Sequence, residues 1–217
     1  MAKRLYFIAK PSFQGLIVEK TIHFEYYRGQ NLNQKHKSIE SMHHAIRAFE
    51  SGGKILEVST VSPDPLGKKL AGVFLLGKNE NGSEVPVMTI FESAKVFERG
   101  GPYRDLLEKD PSEVAKDERL INSGRLLGFH YQNESYSLSP RNLFFDWIYM
   151  SALYKEKALH EQIAQYDIVT DIEYSMNNMF ASSARACAYF ISLYHAGILD
   201  ESMKNIDSFS KIYTMVF

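Results

Sequence analysis

Apolar positions alternate only partially in the first quarter of the chain. "LYFIAK" (5–10) and "GLIVEKTIHFEYY" (15–27) are rich in β-branched and aromatic residues, which predicts extended segments. The period then changes. In "KSIESMHHAIRAFESGG" (37–53), Ile39, Met42, His43, Ile46 and Phe49 recur at helical spacing, and Gly52-Gly53 supplies the stop. "KILEVSTV" (54–61) reads as a short strand, and "PLGKKLAGVFLLG" (65–77) fits either a strand or a helix. "EVPVMTIF" (84–91) reads as extended and runs into "FESAKVFERGGPY" (91–103). That stretch is read as a helix with Phe91, Ala94, Lys95 and Glu98 on one side, capped by Gly100-Gly101.

Beyond Pro102, "YRDLLEKDPSEVAKDERL" (103–120) predicts two short charged helices broken at Asp110-Pro111. "RLLGFHYQNESYSL" (125–138) predicts a hairpin with Gln132-Asn133-Glu134 near its tip. In "SPRNLFFDWIYMSALYKEKALHEQIAQY" (139–166), Ser139 is the expected N-cap and Pro140 the first helical residue, with Phe144, Trp147, Ile148 and Ala152 on one face. A further helix spans "ASSARACAYFISLYHAG" (181–197) up to Gly197, and a last one is expected in "DESMKNIDSFSKIYTMVF" (200–217). Strands in the first half followed by helices in the second predict an α+β fold, not a repeating βαβ unit.

Composition narrows the class. The 217 residues are 45% hydrophobic and 24% charged with a formal net charge of −1, so a normal core is affordable and binding to nucleic acid through bulk positive charge is not expected. No linker-like tract divides the chain, which predicts one domain over 1–217. The single cysteine, Cys187, excludes an internal disulfide and a multi-cysteine metal site. The N-terminus has no apolar run suited to a signal peptide, and no stretch reaches the ~20 apolar residues of a membrane span. A soluble, cytoplasmic protein is expected.

Phosphate-binding P-loop, GxGxxG, HExxH and GxSxG patterns are all missing. Adjacent His43-His44 diverge by about 100° on a helix, so neither a metal nor a cofactor is expected. Three features carry candidate chemistry. Asp171 and Glu173, in "YDIVTDIEYSMNN" (166–178), would project to one side if extended, and two close carboxylates can split their pKa values for acid/base work; a solvated acidic loop or carboxylates serving a helix N-terminus explain them as well. Arg185 lies on an apolar helix face and needs a carboxylate or a bound phosphate, with Asp171 or Glu173 as the expected partner. Glu92 and Lys95 are spaced for an ion pair, either as surface decoration or as the wall of an anion site that Gly100 and Gly101 let the ligand approach.

Several collinear stretches resemble one family. "FEYYRGQNLNQKHKSIESMHHAI", "KILEVSTVSPDPLGKKL", "FESAKVFERGGPYRDLL", "INSGRLLGF", "SPRNLFFDWIYMSAL", "YDIVTDIEY" and "ARACAYFISLYHAGILDE" are similar to the NADAR proteins associated with DarT toxins. The resemblance implies a helix-rich NADAR-like α+β domain with short strands mainly in its N-terminal half. It implies an N-glycosidic hydrolase, working without a metal or cofactor, that removes ADP-ribose from guanine in single-stranded DNA as the antitoxin to a DarT-type ADP-ribosyltransferase. Such chemistry needs a carboxylate beside the anomeric carbon, an acid for the departing base, cations for the pyrophosphate and an aromatic surface for adenine. Glu92, Lys95, Asp171, Glu173, Arg185, Tyr103 and Trp147 supply those types, with Phe91, Gly100 and Gly101 around them.

One departure stands out. The family usually carries Val-Glu-Ser-Ala-Phe-Gln ahead of its lysine, with the glutamate seven residues before it; here that register reads Val87-Met88-Thr89-Ile90-Phe91-Glu92. Met88 stands in place of the presumed acid. Either Glu92, one helical turn on, takes over the task, or Glu40 supplies the acid, or the protein only binds an ADP-ribosyl group or the toxin. A relative cleaving a free N-riboside metabolite is a further alternative.

Overall fold

The computed structural model describes residues 1–12, 15–29, 31–174 and 180–215. Two long strands, β1 (Ala2–Ser12) and β2 (Gly15–Phe24), form an antiparallel pair and are followed by helix α1 (Leu32–Phe49). Strand β3 (Ile55–Glu57), helix α2 (Pro65–Lys69), strands β4 (Leu76–Lys78) and β5 (Glu84–Pro86), helix α3 (Val87–Ser93) and strand β6 (Lys95–Phe97) come next. After a 3-10 turn at Arg104–Glu108 come short helices α4 (Pro111–Val114) and α5 (Arg119–Asn122), then the hairpin β7 (Leu126–Tyr131) and β8 (Glu134–Tyr136). Helices α6 (Leu143–Lys155) and α7 (Lys157–Ile163), strand β9 (Ile168–Thr170), and helices α8 (Ser183–His195), α9 (Leu199–Ser202) and α10 (Ile206–Met215) complete the α+β order.

The main sheet runs β2-β1-β9-β3, with β9 antiparallel to β1 and parallel to β3. Both faces of this sheet are covered, and strand periodicity sorts the side chains. Tyr6, Ile22, Phe24 and Ile168 join Ile39, Met42 and Ile46 of α1 in one buried cluster. Phe7, Leu56 and Val169 face the other way, into the larger core with α6 and α8. Two small sheets, β4-β5 and β6-β7-β8, flank that core.

The strands β1 and β2, helix α1, the hairpin and α8 lie where the sequence places them. The predicted hairpin tip is confirmed by positive φ at Gln132 and Asn133, and Gly197 (φ +70°) follows α8. Asp110 caps α4 with a reciprocal bond from its own N–H to Glu113, so the break at Asp110-Pro111 is a new helix start.

Three expectations are corrected. The strand expected over 84–91 ends at Pro86, and Val87 begins helix α3, because Val87, Ile90 and Phe91 are all buried in the large core at helical spacing. The helix expected across 91–99 stops at Ser93; Lys95 belongs instead to β6, where it pairs with Phe129. Ser139 and Pro140 do not open helix α6. It starts at Leu143, after Asn142 in a left-handed conformation (φ +70°), and Glu156 divides α6 from α7.

Candidate functional site

The parallel strands β3 and β9 end side by side, a position where α/β sheets commonly place ligands. Beyond Thr170 the chain turns instead of continuing extended. Asp171 Oδ1 accepts from the N–H groups of Glu173 (2.8 Å) and Tyr174 (3.0 Å), so Asp171 and Glu173 do not share a strand face. Glu173 reaches across to the β3 side, accepting from Thr60 N (2.9 Å) and Oγ1 (2.7 Å), with Lys35 at 3.4 Å. Its carboxylate therefore ties the two strand ends together.

Glu57 is a buried acid that the sequence reading overlooked. Thr170 Oγ1 (2.6 Å) and Ile172 N (2.7 Å) donate to it, and His43 Nε2 of α1 stands 3.9 Å away. A glutamate ending a short strand of otherwise apolar residues was the available signal. Burial first, and the nearby Glu57 carboxylate second, hold the Asp171 carboxyl well above the usual carboxylate range. No cation is paired with Asp171 among the described residues.

Below this turn lies a second acidic centre. Asp146 of α6 is fully buried and ion-paired to Arg185 Nη1 of α8, and Tyr213 donates to it from 3.0 Å. Glu19 of β2 also takes Arg185 Nε at 3.1 Å. The expected partnership of Arg185 with Asp171 or Glu173 is corrected: the guanidinium lies inside the core, and Asp146 and Glu19 face it there. Burial pushes the Asp146 carboxyl up to about 6, against the pull of Arg185. Tyr149 lies between the two centres; burial raises its phenol, and Cys187, Asp171 and Asp146 add to the rise. The Cys187 thiol, buried, is pushed up to about 12 and is no nucleophile.

A cavity of about 330 Å³ adjoins this network, bordered by Arg141, Asn142, Tyr174 and Arg185. The buried Asn142 Oδ1 has no partner there among the described residues. Arg141 stacks over Phe180 (5.8 Å), Phe180 meets Phe129 (6.3 Å), and Phe129 pairs across the sheet with Lys95. A strip of ring contacts, buried at Phe129, thus leads from Arg141, which borders the cavity with Tyr174, to the strand that carries Lys95. Residues 175–179, the end of the acidic segment singled out in the sequence, lie outside the described residues.

At the far end of the strip, Lys95 Nζ donates to Glu92 at 2.6 Å and rests 5.0 Å from the Phe91 ring centroid. Both charged side chains are 19% exposed, intermediate between core and surface. Phe91 itself is buried against Phe129, Phe144 and Phe145, as core. Met88 lies half-buried on α3. Its N–H donates to Gly72 O (2.9 Å), and Gly72 N donates in turn to Ser183 Oγ (3.0 Å) at the start of α8.

The remaining candidates separate from this strip. Gly101 (φ +87°) packs on the Lys95 backbone so closely that a Cβ would stand 2.2 Å from its carbonyl oxygen. Gly100 closes the turn by accepting from Phe97 N, and Tyr103 bonds Ser123 while Arg119 stacks on its ring at 4.6 Å. These three shape the β6 turn. Glu40 is exposed on α1, beside Glu25 and Lys37, across the main sheet from α8. Trp147 borders a different cavity.

Among the described residues no cluster of metal-ligating side chains occurs, and no helix is long and apolar enough to cross a membrane. A family model described as the DarT1-associated NADAR antitoxin matches residues 2–216. No curated protein matches the chain.

Proposed function

The chain belongs to the DarT1-associated NADAR antitoxins, and we propose that it counters its toxin by cleaving ADP-ribose from guanine in single-stranded DNA. The observation that carries this reading is Asp171, whose carboxyl is held above the usual range by burial and by Glu57, and whose Oδ1 accepts from the N–H of Tyr174, a residue that, with Arg141, borders the cavity of about 330 Å³. Cleaving the bond between the sugar's anomeric carbon and a guanine nitrogen requires a proton for the base as it leaves. A carboxyl that keeps its proton above the usual carboxylate range can give it. The charge that develops on the sugar needs an anion, and Glu92, a carboxylate fixed in place by its ion pair with Lys95, has that character. Water then adds to the anomeric carbon, releasing ADP-ribose and restoring guanine. Arg141 is placed for the pyrophosphate, since Arg185 is committed to Asp146 and Glu19.

The test is release of free ADP-ribose from a guanine-modified single-stranded oligonucleotide, followed by chromatography. Asp171→Asn keeps the Oδ1 acceptor and is expected to lower the rate at least 100-fold. The absence of any release by the natural protein at high concentration, with modified DNA verified as present, overturns the proposal.

Capture of an ADP-ribosyl group without turnover is the second reading, and Met88 favours it. A thioether occupies the position of the family's acid, on the same end of α3 that meets Gly72 and, through it, Ser183. Under this reading the natural protein binds ADP-ribose without releasing it from DNA, and Met88→Glu gains activity.

A further inference from the structure

Helix α3 has a second side. Ile90 lies about 200° around the helix from both Met88 and Glu92, and it borders a separate cavity of about 300 Å³. The walls come from β4, the β7–β8 turn, α6 and the junction of α9 with α10. That volume is at the small end of the range of about 300–1,000 Å³ over which small-molecule sites occur.

Its lining is unlike the rest of the molecule. The whole chain carries 25 basic and 26 acidic residues, yet this cavity is bordered by Lys78, Lys155 and Lys204 and by no carboxylate among the described residues. Lys204 is engaged by Glu201 at the rim, an exposed pair that costs little to open. Lys78 and Lys155 are exposed and have no ion-pair partner among the described residues. Glu80 already takes Gln132 N and Arg104, and Glu84 stands opposite Lys78 in the β4–β5 pair without bordering the cavity. Helix α6, which also carries Lys155, presents two turns earlier the half-buried indole of Trp147, backed by Phe209 at 5.4 Å. Between them the Ser151 hydroxyl is buried without a hydrogen-bond partner, although a buried donor is normally satisfied.

Cations without anions recognise phosphate, a supported aromatic face recognises a planar base, and an unsatisfied hydroxyl recognises a polar ring substituent or sugar. We propose that this cavity is a second ligand site that takes a nucleotide, its phosphate held by the lysines and its base laid against Trp147. The same chemistry is offered by one unit of a single DNA strand and by a free nucleotide.

Trp147 is the only tryptophan in the chain, so its fluorescence reports occupancy directly. The probes are an unmodified eight-residue oligothymidylate, thymidine monophosphate and inorganic phosphate. Quenching is expected, weakened at least tenfold in the triple variant Lys78→Ala/Lys155→Ala/Lys204→Ala, with the salt dependence of the oligomer reduced in parallel. These lysines are exposed, so the variant retains its fold. Tighter binding of the oligomer than of the monophosphate identifies a strand as the source, whereas equal affinity identifies a free nucleotide; either supports the site, as does displacement of the bound probe by inorganic phosphate. No quenching at millimolar probe, or quenching unchanged in the triple variant, overturns the proposal. In a parallel arm, anisotropy of a labelled oligomer is expected to show weaker binding to Trp147→Phe, and unchanged affinity there removes the stacking role. All probes lack ADP-ribose, so failure here leaves the hydrolysis by Asp171 standing.

Discussion

Asp146 and Asp171 both lie beside Tyr149, and burial raises both carboxyls. Their neighbours differ. Asp146 faces a guanidinium and a phenol inside the core, both directed at its Oδ2, so its charge has an opposite one beside it. Asp171 faces another acid, Glu57, at the mouth of two strands. The same residue type is a structural partner in the first place and the proposed proton donor in the second. What separates the roles is whether the second charge nearby is opposite or alike.

Breaking the closed centre has the largest expected effect. Asp146→Ala removes the buried carboxylate that faces Arg185 in the core, and urea unfolding is expected to show a loss of about 3–5 kcal/mol. If Asp146 and Asp171 were equivalent, Asp171→Asn would cost as much; instead it is expected to cost no stability while lowering ADP-ribose release by about 10²–10⁴-fold.

The comparison sharpens with pH. The native state holds the Asp171 proton above the pH at which the unfolded chain loses it, so ionisation of this group destabilises the fold as pH rises from about 4. Asp171→Asn removes that contribution. The variant and the natural protein should match in urea stability near pH 3.5, and the variant should become progressively more stable toward pH 7. A difference that shrinks with rising pH contradicts the assignment. The smallest effect is expected at the partly exposed pair: Glu92→Gln should change stability by less than about 1 kcal/mol, while weakening turnover if Glu92 faces the sugar.

The regular periodicities were legible. α1, α8 and the β7–β8 hairpin follow from spacing and stop residues. The stretch from Val87 to Phe97 was not, because seven apolar-rich residues satisfy a strand and a helix equally, and only the core that receives Val87, Ile90 and Phe91 decides between them. Site chemistry was legible by residue type and hidden by partnership. Arg185 on an apolar face announced a buried carboxylate, but Asp146, 39 residues earlier on another apolar helix, answers it. Lys95 was expected on a helix with Glu92, and it keeps that ion pair from a strand. Asp171 and Glu173 were read as a pair; the turn that separates them depends on backbone bonds that no alternation rule encodes. Trp147 was read as the aromatic surface for adenine, and it borders a cavity on the other side of α3 from Met88 and Glu92.

The sheet order has a consequence for the time at which the protein becomes competent. β9 enters between β1 and β3, pairing Ile168 with Ile55 across more than a hundred residues. A ribosome adding about 5–20 residues per second therefore releases β1, β2 and α1 seconds before the strand that completes the sheet exists. Until then β3 has no neighbour and Asp171 has not been made. If Asp171 is the proton donor proposed above, protection against a toxin translated at the same moment begins only with the last quarter of this chain, and a truncated product carries the hairpin and most helices but not that carboxyl.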